Sequence, residues 1–198
     1  MTIGRTLRND WYPGIVPDNV VVDPTAYIGS SYSFARFRSE LSVGATIGRG
    51  ASLHGSILDV GPAGKITVDE YATISESVYI LCDRKVKIGA YSLIAWNAVL
   101  MDNYRTRSGF QPCRNSDIGL AGSQRLPEHI PATARPILLG RNTWIGHEAC
   151  VLPGVSIGDG SIVGARSVVA HDVPPFAVVA GNPARIVRQL PTREWPDN

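Results

Sequence analysis

The sequence predicts an all-β chain wound into a parallel β-solenoid, and three observations predict it. Apolar residues recur at every sixth position, small residues recur in phase four positions later, and 20 Gly and 14 Pro punctuate a chain whose mean hydropathy is still +0.02. That much Gly and Pro accompanies either disorder or many short strands, and 44% hydrophobic residues decide for strands. A helix cannot hold one face at this spacing, because six residues advance about 600° around its axis. Three short flat faces can, with a coil of about 18 residues that stacks large residues inside and fits small ones under the corners.

The repeats run over about 20–101 and 139–173. The second stretch is the more regular, with Leu139, Ile145, Val151, Ile157, Val163 and Val169 spaced by six, and Thr143, Ala149, Val155, Ser161, Ser167 and Val173 four positions after each. In the first stretch the frame gives the triplets Val22, Ile28, Phe34, then Leu41, Ile47, Leu53, then Val68, Ile74, Ile80, then Ile88, Ile94, Leu100. Interruptions fall between triplets, at 34 to 41, 53 to 68, 80 to 88 and 100 to 139, so they collect on one corner. Exceptions to the small-residue rule are Tyr32, Arg38, Ile57, Arg84 and Tyr104, four of them just before an interruption. Insertions gathered on one edge of a solenoid mark its working edge.

The longest excursion, about 102–138, carries Arg105, Arg107, Arg114, Arg125 and Arg135 against Asp117 and Glu128. The segment reads either as a solvated, disordered flap or, because arginine forks suit phosphate oxygens, as a lid that meets phosphates. From about 174 to 198 the Pro-Pro-Phe break and the run Gly181 to Leu190 read as a turn and a short cap over the last coil. One domain of 198 residues accounts for the whole pattern.

Composition narrows the function classes. Nineteen basic and seventeen acidic residues leave a formal charge of +2, with no footprint for nucleic acid or a membrane surface. No apolar run reaches the length of a membrane span, and Met1–Tyr12 has no apolar segment of signal-peptide type, so a soluble cytoplasmic protein is expected. Cys82, Cys113 and Cys150 have neither disulfide-framework nor zinc-site spacing and read as reduced thiols.

The segment from Leu139, with its Thr-Trp-Ile-Gly-His-Glu-Ala-Cys-Val-Leu-Pro-Gly-Val core, and the ending Asp172-Val173-Pro174-Pro175 followed by Ala180-Gly181-Asn182-Pro183-Ala184 resemble the hexapeptide-repeat acyltransferases. The likeness is to the branch of galactoside, maltose and xenobiotic acetyltransferases. It implies a left-handed parallel β-helix, a hand the general preference for right-handed crossovers would not suggest. It also implies a homotrimer with sites between subunits and acetyl-CoA, or another acyl-CoA, laid along the coils. The acyl group would pass to a hydroxyl or amine of a sugar, nucleotide sugar or small metabolite, with a loop histidine as general base. The chemistry suits an imidazole, which titrates near neutrality and can take a hydroxyl proton while backbone amides hold the thioester oxyanion.

Where that histidine would stand, after Trp96-Asn97-Ala98-Val99-Leu100-Met101-Asp102, the chain reads Asn103, Tyr104, Arg105, Thr106, Arg107. The base must then be another group, and the candidates are His147, His129 and Asp102. His54 and His171 read as surface turn residues beside Leu53 and Asp172. His129 lies inside the excursion. His147 falls two positions after Ile145, which stacks on Ile94 if the excursion is a detour, and this brings the imidazole within about one rung, roughly 4.8 Å, of Trp96. Asp102 would orient a base or acceptor, or cap a turn. For the cofactor, Trp144, Gly146, Gly164, Ala165 and the turn with Asn182, Pro183 and Arg185 would let backbone amides approach a pantetheine arm, while Arg185 or Arg188 meets phosphates. The zinc-dependent carbonic anhydrases share this helix but need two histidines five apart, a spacing absent from positions 54, 129, 147 and 171, so no metal is expected. A non-catalytic trimeric β-helix that binds ligands or scaffolds partners is the alternative to an enzyme.

Overall fold

A computed structural model describes residues 4–105 and 134–192. In the described residues six coils follow one another. The first has β1 (Val20–Val22), β2 (Tyr27–Ile28) and a 3-10 turn, Ser31–Phe34; the second β3 (Ala45–Ile47), β4 (Ser52–Leu53) and β5 (Ile57–Val60). The third and fourth comprise β6 (Lys65–Val68), β7 (Thr73–Ile74), β8 (Tyr79–Cys82), β9 (Lys85–Ile88), β10 (Leu93–Ile94) and β11 (Val99–Met101). After the excursion come β12 (Ile137–Leu139), β13 (Trp144–Ile145), β14 (Cys150–Val151), then β15 (Ser156–Ile157), β16 (Ile162–Val163), β17 (Val168–Val169).

Corresponding strands pair in parallel, which builds three sheets around a triangular core. The first sheet runs β1-β3-β6-β9-β12-β15, the second β2-β4-β7-β10-β13-β16, and the third β5-β8-β11-β14-β17. The six-residue period works because each strand is only two to four residues long, so one inward side chain per face repeats once per rung. Ile47, Val68, Ile88, Leu139 and Ile157 fill the first column, Leu53, Ile74, Ile94, Ile145 and Val163 the second, and all are at most 2% exposed. Burial of each such side chain contributes about 1.5–3 kcal/mol. Ser92 and Thr143 show the coil closing across the excursion: both are buried under one corner, with the Thr143 hydroxyl 2.9 Å from that of Ser92.

The structure corrects one triplet. Val22 pairs with Ile47, so Ile47 and Leu53 belong to the first and second faces and Leu58, not Leu41, completes the coil. Leu41 lies in a surface insertion at 37% exposure. The frame slips because the corner from Leu53 to Leu58 is one residue shorter than the others, closed by Gly55 at φ +74°. In the corrected frame Ser56, fully buried, takes the small-residue position that Ile57 seemed to violate. The interruptions then fall at 34 to 47, 58 to 68, 80 to 88 and 100 to 139, all at the corner between the third and first sheets. The excursion also ends earlier than expected, since Ile137 and Leu138 already pair with Val86 and Lys87.

At the C-terminal end β18 (Ala177–Gly181) adds a parallel strand to β16, and β19 (Ala184–Gln189) folds back on it antiparallel. This hairpin covers the edge that the second sheet would otherwise leave open. Among the described residues no helix is long and apolar enough to cross a membrane.

Candidate active site

From the third coil to the sixth, the chain turns from the second to the third sheet through a residue of positive φ: Ser77, Asn97, Glu148 and Arg166. The residue just before that turn points out along the corner. Register places Trp96, His147 and Ala165 there on successive rungs, because Ile94 pairs with Ile145 and Ile145 with Val163. Trp96 and His147 stack, centroids 5.6 Å apart and planes 17° apart. The detour reading of the excursion therefore places His147 where the sequence predicts it. Ala165 then Gly181 continue the column beyond His147, so small residues border the imidazole on the side away from Trp96.

Glu148 is committed elsewhere. Its carboxylate accepts from Arg166 Nε at 2.7 Å, and that hydrogen bond and charge hold it below the usual carboxylate range. Arg166 is the principal cause, and His147 adds a smaller coulombic contribution in the same direction.

The other sequence candidates separate. Gly146 lies inside the corner: a Cβ there would sit 2.6 Å from Ala165 N and 2.8 Å from Val163 O. Its role in the described chain is close packing of rungs. Gly164 is looser, with a Cβ 3.1 Å from that of Ala180. Exposed Asn182 and Pro183 form the turn between β18 and β19, and Arg185, also exposed, borders a cleft of about 300 Å³ with His171, Asp172 and Ala184. Arg188 is exposed opposite Val178. Trp144 faces out from the second sheet, 49% exposed, beside a cleft of about 370 Å³ lined by Ile162, Phe176, Leu190 and Pro191.

Asp102 is on another corner and is fully buried. Its carboxylate accepts the backbone N–H groups of Asp83, Arg84 and Lys85 at 2.8, 2.7 and 2.8 Å. Burial raises its pKa, with the three N–H donors opposing. These bonds are those of a turn-capping side chain that anchors the root of the excursion. His54 stacks on Tyr27 at 5.1 Å and lies at the corner between the second and third sheets rather than on the inserted edge. His129, Arg107, Arg114, Arg125, Asp117, Glu128 and Cys113 lie outside the described residues.

Arg105 corrects the expectation of a phosphate-seeking arginine. Only 12% exposed, its side chain grips Asp83 through Nε and Nη2 and Asp59 through Nη1 at 2.5 Å. Asp59 also accepts from Tyr79 Oη at 2.5 Å, and Asn103 donates to Asp83 at 3.0 Å. Each inserted segment thus supplies charge to one network, with Arg36 and Arg38 from the first, Asp59 from the second, Asp83 from the third and Arg105 from the fourth. The sequence signal was present in Arg38, a charged exception to the small-residue rule. Cys82 is buried with its thiol pKa raised by desolvation, and half-exposed Cys150 is raised for the same reason. Among the described residues no group of three His, Cys, Asp or Glu side chains is arranged to hold a metal.

The family model for the bacterial transferase hexapeptide (six repeats) matches residues 136–171. Over 170 residues the chain is 31% identical to the Escherichia coli (strain K12) protein assigned as the colanic acid biosynthesis acetyltransferase WcaF, covering 85% of this chain and 83% of that protein. The chain belongs to the hexapeptide-repeat acyltransferase family. It is also 32% identical over 133 residues to galactoside O-acetyltransferase of the same strain, covering 65% of this chain and 66% of that protein. A hexapeptide-repeat acetyltransferase of Vibrio cholerae O1 biovar eltor, solved with acetyl coenzyme A, superposes with a TM-score of 0.55 at 26% identity over 75% of this chain and 72% of that one. The fold is accordingly the left-handed parallel β-helix of these acyltransferases, and the chain is an acyltransferase rather than a bare scaffold.

Proposed function

We propose that this hexapeptide-repeat acyltransferase moves an acetyl group from acetyl-CoA to a hydroxyl or amino group of a small acceptor, a sugar, nucleotide sugar or related metabolite. The observation that carries the site is the stack of His147 on Trp96 at a corner that continues through Ala165 and Gly181 toward Arg185. The relatives named for galactoside and colanic acid chemistry, and the Vibrio neighbour solved with acetyl coenzyme A, support the donor and the acceptor class.

In the proposed reaction the acceptor oxygen or nitrogen attacks the thioester carbonyl carbon while a ring nitrogen of His147 takes its proton. The tetrahedral oxyanion collapses, the carbon–sulfur bond breaks, and the imidazolium returns the proton to the departing coenzyme A thiolate. Small residues after His147 leave room along the corner for a pantetheine arm, and Arg185 and Arg188 are free to meet its phosphates. A rigid coil holds the base better than a loop would, since the geometry of proton transfer tolerates little slack.

The chain acts as a homotrimer in this reading, one outward face of the triangle packed against its neighbours. Thermal shift with coenzyme A and acetyl-CoA, followed by thiol release with a panel of acceptors, tests the activity. Sedimentation giving a monomer at micromolar concentration would remove the trimer and any site shared between subunits.

A further inference from the structure

Phe37 bridges Val60 in parallel, with Arg38 N–H donating to the Val60 carbonyl at 2.9 Å and Val60 N–H to the Arg36 carbonyl at 3.2 Å. Side chains alternate along such a segment, so Phe37 packs inward against Phe34 while Arg36 and Arg38 share the outward side. Both guanidinium groups converge on Asp59, Arg36 Nη1 lying 3.5 Å from Oδ2 and Arg38 Nη2 lying 3.3 Å from Oδ1.

That carboxylate is already better served from inside. Arg105 Nη1 and Tyr79 Oη reach its two oxygens at 2.5 Å each. A carboxylate has about four acceptor positions, so these four donors fill it. The network sets the carboxylates of Asp59 and Asp83 against three guanidinium groups, of which Arg105 is buried and fully bonded. Arg36 and Arg38 keep side chains 62% and 61% exposed. Arg36 Nη1 also donates to Tyr79 Oη at 3.3 Å, while Nε and Nη2 of Arg36 and Nε and Nη1 of Arg38 have no hydrogen bond among the described residues. Arg84 and Lys85, both exposed, add positive charge on the same inserted corner.

We propose that Arg36 and Arg38 form an anion subsite that takes a phosphate group. Two guanidinium forks fixed on one extended segment offer paired N–H donors to solvent, the pattern a phosphate accepts, and a dianion supplies the charge that Asp59 cannot. The anion chemistry stands on these side chains alone, on the inserted corner rather than on the one that carries His147. The coenzyme A phosphates fall to Arg185 and Arg188 at the far end of the coil.

The test uses inorganic pyrophosphate and, separately, coenzyme A as probes in calorimetric titrations of the whole chain at low salt. In an Arg36→Ala plus Arg38→Ala variant, pyrophosphate affinity falls about tenfold or more, while coenzyme A affinity stays within about twofold. Asp59 keeps Arg105 and Tyr79 in that variant, and an unchanged melting temperature verifies the fold. The double Lys variant restores charge without the fork and recovers part of the affinity. Wild-type protein that ignores pyrophosphate, a double variant that binds it as well as wild type, or an Arg49→Ala control that loses as much overturns the subsite. Joint loss of pyrophosphate and coenzyme A binding also overturns it, by giving these arginines to the donor. Pyrophosphate binding that depends on them in a protein without coenzyme A affinity leaves the subsite and removes the acyltransferase reading.

Discussion

The His147 imidazole lies flat on the Trp96 indole, centroids 5.6 Å apart, although the excursion separates the two residues in the chain. The contact exists because Ile94 and Ile145 are partners in the second sheet, so two residues on from each stands on the same corner one rung apart. Stacking restricts the ring's rotation without using either nitrogen, as the proposed role of His147 as general base requires.

Replacement of His147 by Ala tests this role. Removal of a general base typically costs about 10² to 10⁴ in rate, so turnover in the thiol-release assay falls by that order while coenzyme A binding and assembly persist. Turnover within about threefold of wild type would pass the role to another group. Trp96→Ala should lower turnover less, since the base remains but its ring is no longer held.

Arg185 and Arg188 are exposed at the hairpin that closes the helix, and among the described residues only a carbonyl contact within the turn, Arg185 Nη1 to the Ala184 oxygen, engages the first. Hydrogen bonds to charged groups contribute about 1.5–3 kcal/mol, so a double Ala variant should bind coenzyme A roughly tenfold or more weakly. Its affinity for acceptor and its melting temperature should not move. Equal coenzyme A affinity in calorimetry would mean that these residues only shape the turn.

The six-residue period made the solenoid legible, together with the corner where insertions collect and the juxtaposition of His147 with Trp96. It could not locate the slip at Gly55, because a corner one residue shorter leaves the apolar spacing looking regular through Leu41. Nor could it show that Arg105 turns inward. Periodicity reports which side chains face the core, and the partners of Arg105 come from two other coils, at Asp59 and Asp83, whose proximity exists only once the rungs are stacked. Asp102 was visible as a polar residue at the root of the excursion, but its three backbone donors lie 17 to 19 residues earlier, where the third coil passes into the fourth.

The Asp59 network makes stability depend on acid. Burial pushes the Asp59 pKa up, yet the Tyr79 hydroxyl and the Arg105 guanidinium together outweigh it and hold the carboxyl below its ordinary value. A depressed folded-state pKa contributes stability that is present above the unfolded value, near 4, and lost as pH falls through the folded one. Asp59→Asn should therefore be less stable than wild type at pH 7, with the gap narrowing below about pH 4 in urea titrations. Arg105→Ala, which removes the buried cation that Asp59 and Asp83 share, should cost about 3–5 kcal/mol at pH 7. A gap between wild type and Asp59→Asn that is constant from pH 7 to 3 would dissociate the network from the acid response.

Two glycines at the corner between the second and third sheets separate packing from backbone strain. Gly146 has an ordinary φ but no space, since an added Cβ would meet the Ala165 nitrogen at 2.6 Å and the Val163 oxygen at 2.8 Å. Both obstacles are backbone, so the rungs must move apart rather than a side chain swing away. Gly55, at the matching corner lower in the helix, has open space but φ +74°, a conformation that costs an L-residue roughly 1–2 kcal/mol. Overpacking typically costs about 1–3 kcal/mol and shifts backbone, so Gly146→Ala should both lower stability and displace His147 from Trp96. Gly55→Ala should lower stability by a comparable amount and leave turnover unchanged, because the strain falls three rungs from the base. Gly164→Ala, whose Cβ would find that of Ala180 at 3.1 Å, should be milder than Gly146→Ala on both counts. Denaturant midpoints measured beside kcat distinguish the cases. A Gly146→Ala enzyme with full turnover would show that the base does not need the spacing of this corner.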